Sequence, residues 1–104
     1  MRVITTVRGI MKESDPQKAK EAHNAIFGRL QPVGRSLGSI GHQTYLNPQN
    51  PREFLAVDTW PDMESLQKFM SHSANPAAAL GAMFDGQPDV TVWVQSDYDG
   101  FYNG

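Results

Sequence analysis

The stretch that most limits how this chain can fold is Ser39–Trp60, SIGHQTYLNPQNPREFLAVDTW. Ser39–Leu46 and Glu53–Trp60 are rich in β-branched and aromatic residues and read as two strands. Between them lies Asn47-Pro48-Gln49-Asn50-Pro51. Its prolines fix φ and lack an N–H, and its asparagines favour turn initiation, so the chain reverses there. A hairpin results, and the other elements must pack around it.

Upstream, Arg2–Arg8 alternates, with Val3, Thr5 and Val7 on one face and Ile4 and Thr6 on the other: a strand. Gly9–Ser14 connects it to a helix. Asp15-Pro16 is a start signal, because Asp caps free N–H groups and Pro at the first helical position loses nothing. Ala19, Ala22, Ile26 and Leu30 then recur at helical spacing. Pro32 is expected to kink or end that helix, with Val33 and Leu37 extending the apolar stripe until Gly38 stops it.

Downstream, Pro61-Asp62 opens a second helix carrying Leu66, Phe69 and Met70, and Ser71–Asn75 interrupts it. Asn75-Pro76 caps a short helix with Leu80, Met83 and Phe84, closed by Asp85-Gly86. Val90, Val92 and Val94 alternate with Thr91, Trp93 and Gln95 in a last strand. A tail, residues 96–104, sets Tyr98, Phe101 and Tyr102 among Asp, Asn and Gly.

The order β-α-β-β-α-β predicts an α+β, ferredoxin-like fold: one four-stranded antiparallel sheet with helices on one face. At 104 residues, 1–104 reads as a single domain. Helices on one side leave the other side bare, with Tyr45, Leu55, Val57 and Trp93 too apolar for water. A second copy packing sheet to sheet covers them, so the expected state is a homodimer, the aromatic tail lying across the partner.

Charge excludes some partners. Nine Lys and Arg against eleven Asp and Glu give a net charge of −2, with no block of one sign. Nucleic acids and anionic membranes both call for clustered cations, and neither is expected as a partner. The absence of cysteine removes disulfides, thiol nucleophiles and thiolate metal sites. No apolar run is long enough to span a bilayer, and MRVITTVRG lacks the pattern of a secretory leader, so a cytoplasmic protein is expected.

Gly34-Arg35-Ser36-Leu37-Gly38 spells G-x-S-x-G, with Asp58 and His72 following in hydrolase order. A nucleophile elbow requires a strand entering and a helix leaving; here the helix enters, so the motif reads as a helix end. Asp97-Tyr98-Asp99-Gly100 resembles part of a calcium loop but has no closing Glu. His23, His42 and His72 lack metal-ligand spacing, and no metal is expected. His23 reads as a helix-surface residue, and His72 as a cation at a helix C-terminus. His42, alternating with Ile40 and Thr44, is a candidate for a cavity wall. Asp58 shares a strand face with Phe54, Ala56 and Trp60. A carboxylate among apolar groups demands a partner, with Arg8 and His42 as candidates, or has been retained for chemistry.

Leu37-Gly38-Ser39-Ile40-Gly41-His42 leading into Tyr45, and Phe54–Trp60 before Asp62-Met63-Glu64, resemble the antibiotic biosynthesis monooxygenase family of small dimeric α+β barrel proteins. The resemblance implies a cavity between sheet and helices, lined by Trp60, where aromatic or quinol-type molecules meet oxygen without a cofactor. The candidate substrate contacts are Trp60, Phe54, Phe69, Arg8 and His72, and the candidate catalytic residues are Asp58 and His42. Some positions depart from the family pattern. Ala56 stands where well-described cofactor-free members carry Asn, Phe69 where many relatives carry His, and Val7 and Ala79 where the haem-degrading branch places its Asn and His.

Dioxygen reacts slowly with closed-shell organic molecules. A cofactor-free oxygenase therefore needs a tuned base to form a substrate carbanion and a donor for the developing oxyanion. Asp58 or His42 is the candidate base, and Arg8 or the Trp60 N–H the candidate donor. The alternatives are a non-catalytic dimeric module that binds a metabolite or serves in stress, favoured if Phe54, Trp60, Phe69, Met70 and Phe84 fill the cavity, and a haem-degrading oxygenase.

Overall fold

The structure is a computed structural model and describes residues 1–103. Gly104, the end of the expected tail, lies outside the described residues. The elements are β1 (Val3–Met11), α1 (Pro16–Ser36), β2 (Gly41–Asn47), β3 (Asn50–Trp60), α2 (Met63–Met70), α3 (Pro76–Gly81) and β4 (Phe84–Val94). The strands form one antiparallel sheet in the order β2-β3-β1-β4, with the helices on one face. This is the ferredoxin-like α+β arrangement the element order predicts.

The hairpin is tighter than its two prolines suggest. Asn47 pairs with Asn50, leaving only Pro48-Gln49 to turn, and the Asn47 side chain accepts from the Gln49 N–H at 2.9 Å. Strand pairing also overrides local pattern at the other end of the sheet. β1 runs on through Gly9, Ile10 and Met11, residues expected in a connector, after a register shift between Arg8 and Ile10. Met11 there pairs with Phe84 and Ile10 with Asp85. That pairing draws Phe84, Asp85 and Gly86 out of the expected short helix and into β4, and α3 ends at Gly81. A Cβ on Gly9 would come within 2.7 Å of the Phe84 ring, so the bare backbone is what lets Phe84 seat.

α1 does not stop at Pro32, which lies inside a helix that continues to Ser36. Pro32 and Gly28, whose carbonyl the ring displaces, are both exposed, so water satisfies the freed acceptor. The helix stops where Gly38 takes φ +102°, and Ser39 N–H donates back to the Gly34 carbonyl at 2.9 Å. Asp15 caps the start, accepting from Gln17 and Lys18.

Two buried clusters occupy the inner face. Val7, Met11, Phe54, Ala56, Met83 and Phe84 form one, with Ala19, Ile26 and Leu80 against it. Val3, Trp60 and Leu66 form the other, joined by Leu37 and Phe69. On the outer face the register sets Ile4 beside Thr59 and Trp93, and Leu55 beside Arg8 and Tyr45. Tyr45 and Trp93 are exposed there, and Leu55 and Val57 half-buried.

Candidate active site

A cavity of about 590 Å³ opens between the inner face of the sheet and the helices. β3 supplies its floor, because the pleat turns Phe54, Ala56, Asp58 and Trp60 to the same side. His42 of β2 stands opposite Asp58 in the ladder and so enters the same wall. α1 contributes His23, Phe27 and Leu30, α2 contributes Leu66 and Phe69, and β4 contributes Val90 and Val92. Phe54, Trp60, Phe69 and Met70 thus border the space and leave it open, while Phe84 packs in the core outside its lining.

The polar part of the lining is concentrated in one chain of hydrogen bonds. His42 Nδ1–H donates to Asp58 Oδ1 at 2.6 Å, a short, charge-assisted contact. With Nδ1 so engaged, His42 turns Nε2 toward α1, where it meets His23 Nε2 at 3.1 Å. His23 Nδ1 lies 2.9 Å from Asn24 Oδ1. Phe27 stacks on His42 at 4.8 Å between ring centroids and on His23 at 5.8 Å. Side-chain exposure falls to 19% for His42 and 26% for Asp58, so the pair is partly withdrawn from water.

Of the residues singled out in sequence, Asp58, His42, Trp60, Phe54 and Phe69 meet at this cavity. Arg8 and His72 do not. Arg8 alternates with the inward Val7, so it projects from the outer face, exposed and 3.8 Å from Glu53. The pleat therefore takes it away from Asp58 and rules it out as the cavity's donor. His72 is exposed in the break after α2, where its Nδ1 accepts from the Ala74 N–H at 3.0 Å. His23, expected on the helix surface, is instead a cavity residue. The signal was present: it lies four residues after Ala19 and three before Ile26, on the stripe that packs inward.

The Trp60 indole N–H is buried without an acceptor. Among the described residues no group of three or more His, Cys, Asp or Glu is arranged to hold a metal ion, and no helix is long and apolar enough to cross a membrane. Val7 and Ala79 offer no ligating atom where the haem-degrading pattern needs one.

No protein-family model matches the sequence, and no curated protein matches it. Solved structures do match the fold. SnoaB, a cofactor-independent oxygenase from Streptomyces nogalater, superposes with a TM-score of 0.71 at 13% identity, over 93% of this chain and 95% of that one. A putative antibiotic biosynthesis monooxygenase from Nitrosomonas europaea gives 0.70 at 11% identity, over 95% and 94%. Another from Bordetella bronchiseptica gives 0.69 at 12%, over 91% and 97%. At such identities the likeness establishes the fold these structures share.

Proposed function

We propose that the cavity binds a small aromatic or quinol-type molecule and that the protein oxidises it with dioxygen and no bound cofactor. The observation that carries this is the His42–Asp58 pair set in the wall of an otherwise apolar cavity. Asp58 fixes the His42 tautomer and supports the imidazolium that forms when His42 takes a proton, while the aromatic lining accommodates a planar substrate. Removal of a proton makes the substrate electron-rich enough to reduce dioxygen. One oxygen atom then enters a ring C–H bond as a hydroxyl while the quinol is oxidised to a quinone, and the other oxygen leaves as water, so the electrons balance without an external reductant. The fold shared with SnoaB supports the same reading.

We place the protein in the cytosol as a homodimer joined through the outer sheet face. Oxygen uptake with a panel of hydroquinones and related hydroxyaromatics tests the activity. Consumption is expected to fall at least about 100-fold in His42→Ala and Asp58→Asn. No consumption above buffer, or full activity in both variants, would overturn the proposal.

A further inference from the structure

The geometry points to His23 and His42 as a one-proton store in the cavity wall, which lets the cavity take a weakly acidic aromatic hydroxyl compound as its anion. This rests on the reading that the cavity binds small aromatic molecules, and deepens it by naming the ionisable class.

The chain of contacts fixes how many hydrogens the pair holds. Asp58 accepts from His42 Nδ1–H at 2.6 Å, and a single hydrogen bridges the two Nε2 atoms across 3.1 Å. With Asn24 Oδ1 facing His23 Nδ1 at 2.9 Å, that nitrogen also carries a hydrogen. The two imidazoles then share three protons, one more than a neutral pair. Rotating the Asn24 amide by half a turn presents its NH₂ group instead, and the same chain is satisfied with two protons. Asn24 is exposed, so nothing packed against it opposes that rotation. A fourth proton has no place, because it sets N–H against N–H at the bridge.

The pair therefore exists in two fully hydrogen-bonded states that differ by one proton. Asp58 compensates the charge of the fuller state, and the face of Phe27 lies against both rings, where a cation is favoured. Of the groups lining the cavity, His23, His42, Asp58 and Arg35 are those that carry or can acquire charge. Both imidazoles border the space, and a ligand hydroxyl joins the chain by displacing the exposed Asn24 amide from His23 Nδ1. Its O–H bond breaks, the oxygen keeps the electron pair, and the proton joins the imidazole pair. His42 alone would lose its hydrogen bond to His23 on protonation if His23 could not turn acceptor at Nε2; the Asn24 contact lets it do so.

A chromophoric phenol with an acidity near that of imidazole, 4-nitrophenol, reports the state directly. Titrated into the protein near the dye's own pKa, the bound dye is expected to show an anion-to-neutral ratio about tenfold that of free dye at the same pH. His23→Gln and His42→Gln are expected to abolish that excess, while His72→Gln, away from the cavity, retains it. Should His23→Gln fold poorly, His23→Phe keeps a ring beside Phe27 and serves in its place. Dye bound as the neutral phenol overturns the inference, as does an anionic excess unchanged in the His23 and His42 variants. Failure of the dye to bind the parent protein overturns the cavity reading as well. Failure of oxygen uptake with normal dye ionisation overturns the oxidation reading alone.

Discussion

The two tryptophans stand on opposite faces of one sheet, and each violates a simple rule of burial. Trp60 ends β3 on the inner face, 3% exposed, with an indole N–H that has no acceptor. Trp93 lies in β4 on the outer face, 53% exposed, yet its N–H donates to Thr6 Oγ1 at 3.0 Å. An unpaired buried donor costs about 1–3 kcal/mol. That cost is tolerated inside, beside a cavity, whereas the outer indole is pinned by its bond to the strand next to it. The inner face keeps polar capacity in reserve among apolar groups; the outer face holds apolar area ready in water. The first pattern suits a ligand and the second a partner copy.

Truncation should separate the two residues most sharply. Trp60→Ala removes a buried ring that touches Leu66 and Phe69 and is expected to cost about 3–5 kcal/mol in chemical denaturation. Trp60→Phe should stay within about 1 kcal/mol of the parent, because it deletes the unpaired N–H along with part of the ring. A loss in Trp60→Phe as large as in Trp60→Ala would mean that the indole N–H is satisfied after all. Next comes Gly9→Ala, whose new methyl meets the Phe84 ring at 2.7 Å and should cost about 1–3 kcal/mol. A neutral Gly9→Ala would show that the inner face is loose at Phe84 as well as at the cavity.

These contrasts also show what a linear sequence can reveal. Period-two alternation placed Asp58 with Trp60, and cap residues placed all three helix starts, since both depend on neighbours close in sequence. Phe84 was misassigned to a helix because its place is decided by pairing with Met11, far away in the chain. Whether Pro32 would end α1 was open in the sequence because its cost depends on whether Gly28 faces water, a tertiary fact. His23 sat on the inward stripe all along, but a histidine on a helix mostly reads as surface until a second imidazole is seen opposite it. Whether aromatic residues fill a cavity or only border it is a question of packed volume, to which periodicity is blind.

On the outer face the expected effects on a single subunit are smaller. Trp93→Ala gives up one exposed hydrogen bond and should cost about 1 kcal/mol or less. Its larger consequence would be on association, if the proposed homodimer forms there. Sedimentation should show Val57→Lys, a charge introduced at the centre of that face, converting a dimer of the parent chain to a folded monomer. A parent chain that sediments as a monomer, or a Val57→Lys variant that remains dimeric, would sever the outer face from assembly.

The smallest effect concerns the cap that holds α2 over Trp60. Asp62 accepts from the Ser65 N–H at 2.8 Å, and its backbone and side-chain hydrogen bonds with Ser65 hold its carboxyl below the ordinary value of 3.8. A carboxyl depressed on folding adds stability above its unfolded value and loses that contribution as pH falls through its folded value. Asp62→Ala should therefore lower Tm slightly at neutral pH, and the gap to the parent should close as the pH falls through the depressed folded value. Leu66 and Phe69 ride on α2 against Trp60, whereas Trp93 touches neither, so only the inner indole should sense the change. In a Trp93→Phe background, acid should shift Trp60 emission toward that of the Asp62→Ala variant; in Trp60→Phe, Trp93 emission should be indifferent to the Asp62 substitution. A gap in Tm that persists through the acid range, or a response confined to Trp93, would show that the cap does not govern how the inner face is covered.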